Sequence, residues 1–156
     1  LERWWTLLPS GTVITPHPGE MGRLCGGLKV SGGDIDRLEL AHTKARDWQV
    51  TLVLKGACTL VAHPDGRMRI NWNANPALAT AGTGDVLAGM ISGFLAQGLE
   101  PFEAASAGVY LHTAAADNVS AEIGHAGLLA SDLLPQIPRV IGRTGLLPLR
   151  SSAPLP

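Results

Sequence analysis

Aromatic side chains are scarce, at 4% of the 156 residues, and cysteine is scarcer, with only Cys25 and Cys58. Two thiols far apart, with no CxxC and no Cys/His ligand spacing, argue against a disulfide framework and a zinc site, and fit a reducing compartment. No protein metal-ligand set is recognisable. Neither sign of charge prevails: 12 Lys+Arg stand against 13 Asp+Glu, a net charge of −1. With no basic run there is no electrostatic footprint for nucleic acid or an anionic membrane. No apolar run approaches the roughly 18 residues of a membrane span. The first residues, LERWWTLLPS, lack the basic flank and apolar core of a signal peptide. A cytoplasmic location is expected. Leu1 is not an initiator methionine, as expected of a piece of a longer chain.

What is present is 46% hydrophobic residues and 19 glycines, enough for one globular domain with a real core, expected over residues 1–142. From 143 to 156 a Leu/Pro/Ser-rich tail has no period and reads as loop. "GTVIT" (11–15) is a short β-branched run that stops at "PHPGE", where Pro18 can open a helix. Ile35, Leu38, Ala41, Ala45 and Trp48 recur at helical spacing, with Asp34 a plausible N-cap. "VTLVL" (50–54) is continuously apolar, as for a strand covered on both faces. "CTLVAHPDGRMRINW" (58–72) reads as a β-hairpin turning at Pro64-Asp65-Gly66. Val86, Leu87, Met90, Ile91, Phe94 and Leu95 then mark a helix stopped by Gly98. Pro101 opens another that runs to about Val119, and a third spans Gly127 to about Ile137. Alternating strands and helices predict an α/β fold, a three-layer sandwich around a mostly parallel sheet. With three or four strands, that sheet is half of something.

The chemistry concentrates in "NPALATAGTGDVLAG" (75–89). Gly82, Thr83 and Gly84 form a loop whose backbone can approach an anion closely at a helix N-terminus. No lysine follows as in a Walker loop, and Leu87 stands where a dinucleotide fingerprint needs glycine. Asp85 reads either as a first-turn carboxylate favoured by the helix dipole or as a base that takes a hydroxyl proton while the amides hold phosphoryl charge. Lys55 ends a buried strand, where ligands of α/β sheets collect, or is simply a solvated lysine. In "KGACT", Gly56 permits close backbone approach and Thr59 supplies a hydroxyl suited to a phosphate or ribose. His17 is held rigid between Pro16 and Pro18, or else merely marks a turn before a helix. His112 reads as a packed helix histidine, Asp117 as facing a cleft, and His42, His63 and His125 as surface. Gly89 and Gly93, four apart, suggest close helix packing.

With "TPHPGEMGRL", "KGACTLVAHPDGR", "NPALATAGTGDVLAGMISGFLAQG" and "HTAAAD" in this order, residues 9–135 resemble the NAD(P)H-hydrate dehydratases of the ribokinase-like superfamily. "GTGD" alone is shared with ribokinase-like kinases such as those for hydroxyethylthiazole. The resemblance implies a lyase that repairs hydrated NADH or NADPH at the expense of ADP, the prokaryotic habit that "TPHPGE" suggests, or of ATP, with Mg²⁺ accompanying the nucleotide. Carried over by position, His17 and Asp85 match contacts to the hydrated dinucleotide. Lys55, Gly56, Ala57, Cys58, Thr59 and Gly84 match the adenine-nucleotide site. The resemblance also implies that an upstream part of the catalytic domain is missing and that an epimerase is fused or cooperates, while a half sheet, with its exposed strand edge and apolar surface, leads to the expectation of a homo-oligomer.

Overall fold

A computed structural model describes residues 3–30 and 34–145, with the backbone alone for Asp34 and Ile35. The Asp34 cap and most of the expected tail lie outside what is described. A 3₁₀ turn, Trp4–Leu7, precedes β1 (Val13–Ile14), α1 (Pro18–Leu24), α2 (Asp34–Trp48), β2 (Thr51–Leu54), β3 (Thr59–Ala62) and β4 (Met68–Asn71). A second 3₁₀ turn, Pro76–Ala79, leads to α3 (Thr83–Ala96), α4 (Pro101–Ile123), α5 (Ala130–Leu133) and α6 (Gln136–Arg143).

The strands lie in the order β1-β2-β3-β4. β1 pairs parallel with β2, while β2–β3 and β3–β4 are antiparallel. The α/β class therefore holds, but the described sheet is mixed rather than mostly parallel. The reason is local: the turn after Ala62 returns the chain beside its own strand, so the hairpin supplies half of the sheet. All four residues of β2 are buried, as its unbroken apolar run requires.

Alternation along β2 divides the core between two faces. Leu52 and Leu54 pack with Met21, Ala41, Ala45 and Trp48 on the α2 side. Val53 joins Val61, Leu87, Ile91, Phe102 and Val109 on the side of α3 and α4. A further cluster, with Leu111, Ala115, Val119, Leu133 and Val140, binds α5 and α6 onto α4.

Several boundaries moved, each for a physical reason. α4 continues to Ile123 because its terminator is Gly124, at φ 85°, not a residue near Val119. The expected third helix is broken in two, with Pro135 at the N-cap of the second piece. Pro138 is tolerated in α6 because a first-turn N–H would have no helical acceptor anyway. His63 is not a plain surface residue: it is 20% exposed, with Asp65 at 2.9 Å and Glu100 at 3.3 Å. Together with the Arg69–Glu103 pair at 2.7 Å, this ties the hairpin to the start of α4. Among the described residues, no helix is long and apolar enough to cross a membrane.

Candidate functional site

The site forms where α3 begins beneath the exit of β2. Gly82 caps α3 at φ 86°, a left-handed conformation natural only to glycine, and a Cβ there would meet Ala130 Cβ at 3.1 Å. Thr83 is buried; its Oγ1 lies 2.8 Å from the carbonyls of both Leu78 and Thr80. The N–H of Thr83 is spent on Thr80 and that of Asp85 on Gly82, at 3.4 and 3.1 Å. Those of Gly82 and Gly84 find no acceptor among the described residues. A helix start with open donors and an aligned dipole favours an anion.

His112 of α4 fixes this loop from behind. Its Nε2 sits 2.9 Å from the Thr83 carbonyl, so that nitrogen carries the hydrogen and donates it. Burial holds the imidazole below the ordinary histidine range. The ring is packed, as its helical setting implied, yet it also lines the cavity.

That cavity measures about 750 Å³. Its walls include His17, Lys55, Gly56, Ala57, Thr59, Gly82, Thr83, Gly84 and Asp85. Cys58 is not among the lining residues; its carbonyl instead takes a bond from Arg37 at 3.0 Å. The Thr59 hydroxyl donates to the Gly56 carbonyl at 3.1 Å, which commits its hydrogen to the turn and leaves its lone pairs to accept. Asn73, Leu78 and Thr113, not singled out in the sequence, also line the cavity, as does Asn75 of the Asn-Pro turn. Asp117 holds the amides of Asn73 and Asn75 at 2.5 and 2.9 Å, so the carboxylate expected at a cleft braces the cavity wall. The available signal was Asn75 before Pro76, an N-cap followed by a proline at N1.

A second cavity, of about 420 Å³, lies between β1, α1 and α3. Lys55, Gly84 and Asp85 line both. Lys55 Nζ would stand 3.0 Å from a Cβ on Gly84, over the start of α3, and lies 3.7 Å from Glu20. A single cation and carboxylate thus face two chambers that meet at an anion-receptive helix end.

His17 is rigid, but for a reason beyond its two prolines. Its Nδ1 accepts from the N–H groups of Gly19 and Glu20 at 3.0 and 3.2 Å, while Glu20 accepts the His17 N–H at 2.7 Å. This reciprocal cap opens α1 and leaves the imidazole edge on the larger cavity. The His17 N–H, with Lys55 assisting, holds the Glu20 carboxyl below its ordinary 4.5. A depressed carboxyl stabilises the fold above its unfolded pKa and loses that contribution as pH falls through the folded one. Glu20→Gln should therefore lower the urea midpoint at pH 7, with the gap to the parent closing as the solution is acidified well below 4.5. A gap unchanged between neutral and strongly acidic solution would show the carboxylate to be irrelevant.

The sequence match is decisive. The model of the NAD(P)H-hydrate dehydratase family matches residues 7–139. The chain belongs to this family. It is 50% identical over 129 residues to the bifunctional NAD(P)H-hydrate repair enzyme Nnr of Moorella thermoacetica, covering 83% of this chain and 24% of that protein. It is 47% identical over 124 residues to the ADP-dependent (S)-NAD(P)H-hydrate dehydratase of Neisseria meningitidis, covering 79% of this chain and 42% of that one. Its fold superposes at a TM-score of 0.78, with 42% identity, on the Bacillus subtilis ADP/ATP-dependent NAD(P)H-hydrate dehydratase co-crystallised with ATP and Mg²⁺, over 84% of this chain and 47% of that one. The chain thus spans less than half the length of each of these relatives, and over the part it spans it shares the fold of a ribokinase-like protein of Enterococcus faecalis, at 30% identity and a TM-score of 0.71 over 87% of this chain and 46% of that one.

Proposed function

We propose that this chain carries the phosphoryl-transfer centre of a dehydratase that restores hydrated NADH or NADPH, consuming ADP. The observation that carries the reading is the pair of cavities joined at Lys55, Gly84 and Asp85. A donor nucleotide in the larger cavity and a hydrated dinucleotide in the smaller would bring terminal phosphorus and ring hydroxyl together at that junction. Asp85, at the junction, and His17 are the expected contacts to the dinucleotide; because His17 lines the larger cavity, the dinucleotide would have to reach past the junction into it, beside Lys55, Gly56, Ala57, Thr59 and Gly84, the expected contacts to the nucleotide, with Cys58 behind them.

The chemistry balances as follows. Asp85 takes the proton of the ring hydroxyl as its oxygen bonds to the terminal phosphorus and the bond to the AMP oxygen breaks. The open N–H groups of Gly82 and Gly84 and the Lys55 ammonium stabilise charge on the phosphoryl oxygens. Phosphate then departs with the C–O electron pair, pushed by the ring nitrogen's lone pair, and loss of a proton from the adjacent ring carbon restores the dihydropyridine. The net change is hydrate plus ADP to NAD(P)H, AMP and phosphate. No group of three or more His, Cys, Asp or Glu among the described residues could hold a metal ion. Mg²⁺ at this site would therefore take nucleotide phosphates as ligands beside one or two carboxylates, where it supplies charge neutralisation. With Asp85 engaged as the base, Glu20 is the carboxylate at hand.

The outer edge of β1 has no partner strand among the described residues, which favours pairing with further sheet from the same protein or a second copy. A cooperating epimerase, on the same polypeptide or separate, fits the bifunctional relatives. Hydrated NADH supplied with ADP to the full-length natural protein should regain the absorbance of NADH with release of AMP. Accumulation of a stable phosphorylated product would instead mark an alcohol kinase, and binding without turnover a nucleotide-binding remnant.

A further inference from the structure

We propose that Arg37, on α2 and outside both cavities, is the positioning residue that holds the Lys55–Thr59 turn in its nucleotide-binding shape; this rests on the function proposed above. Its Nη2 donates to the Lys55 carbonyl at 3.3 Å and to the Cys58 carbonyl at 3.0 Å. One cation thus draws together the two ends of a turn whose intervening residues, Gly56 and Ala57, line the larger cavity. A charged donor makes a stronger bond to a carbonyl than a neutral one, and a planar guanidinium keeps its direction.

The same contact explains Gly56. Its φ is not in the left-handed region, so backbone conformation does not demand glycine there. The guanidinium does: a Cβ on Gly56 would lie 2.5 Å from Arg37 Nη2 and 3.1 Å from Cζ. Glycine at 56 therefore makes room for the clamp, a role separate from ligand approach.

The consequence reaches the reacting groups through Lys55. Its N–H is bound to the Pro16 carbonyl at 2.9 Å and its C=O to Arg37, so the residue is gripped on both sides of its Cα. From that fixed base the side chain extends over the start of α3, with Glu20 at 3.7 Å. Releasing the carbonyl lets the turn drift and moves the ammonium away from where nucleotide phosphates would lie. Arg37 comes from a helix 18 residues before Lys55, so sequence proximity offers no hint of it.

The test uses the full-length natural protein with ADP and hydrated NADPH. Arg37→Met should raise KM for ADP about tenfold, the scale of lost charge-assisted bonds, with KM for the hydrated dinucleotide little changed. Arg37→Lys, which keeps the charge and a donor, should recover part of the loss. Gly56→Ala should reproduce the defect by displacing the guanidinium. The double variant Arg37→Met with Gly56→Ala should be no worse than either alone. Amide exchange at Gly56 to Cys58 should quicken in Arg37→Met, with β2 and β3 still protected, which separates a loosened turn from a misfolded protein. Unchanged KM for ADP in a folded Arg37→Met, or fully additive effects of the two substitutions, overturns the clamp alone. Failure of the unsubstituted protein to bind ADP overturns the nucleotide reading itself.

Discussion

Asp85→Asn lowers turnover of hydrated NADPH by about 10²- to 10⁴-fold, the range in which a general base contributes, while ADP still binds. The substitution keeps the shape of the side chain and removes its capacity to take a proton. Asp85 stands in the first turn of α3, exposed, at the junction of the two cavities. Its own N–H is spent within the loop, on the Gly82 carbonyl at 3.1 Å, so the backbone at this point is anchored whatever the side chain does. The open amides of Gly82 and Gly84 and the Lys55 ammonium are untouched by the change, so the nucleotide keeps its partners. Recovery of NADH absorbance over time measures turnover, and calorimetric titration with ADP measures what is retained. Undiminished turnover would leave Asp85 as a carboxylate merely favoured by the helix dipole, a contribution of about 0.3–1 kcal/mol.

Gly108→Val destabilises the fold by about 2–3 kcal/mol through overpacking, whereas Gly89→Ala stabilises it by about 0.5–1 kcal/mol. A Cβ on Gly108 would stand 2.6 Å from Cγ1 of Ile91, where α3 and α4 meet. Ile91 is 2% exposed and packed in the cluster of Leu87, Phe102 and Val109, so it has little room to yield. At Gly89, and likewise at Gly93, an added Cβ meets nothing within 4 Å. The expectation that these two glycines mediate close packing is thereby corrected: the helix contact is made by a glycine on the partner helix. Urea denaturation of both variants tests the contrast, and midpoints that move in the same direction would contradict the packing described.

Much of the fold was legible because local chemistry determines it. Pro18 and Pro101 stand at the first positions of α1 and α4, the hairpin turns at Gly66, and the apolar run of β2 is buried throughout. The loop at Gly82–Gly84 and its carboxylate were legible for the same reason, since a glycine before a helix and an acid in its first turn are properties of neighbouring residues. The order and direction of strands were less so. Apolar character reports that a strand is buried, whereas its direction depends on the route of the chain, and here the hairpin outweighs the crossover.

By itself the sequence determined where the elements up to α4 begin, which family's motifs are present, and that an anion loop is followed by an acid. Only the tertiary structure decided that Lys55 hangs over α3, that His112 holds the Thr83 carbonyl, that Arg37 grips the turn at Gly56, and that Gly108 is the glycine of close approach. These contacts join residues 17 to 29 positions apart, a distance over which side-chain periodicity and turn chemistry carry no information. Packing in three dimensions selects such partners, by volume and by the need of buried donors and acceptors to be paired.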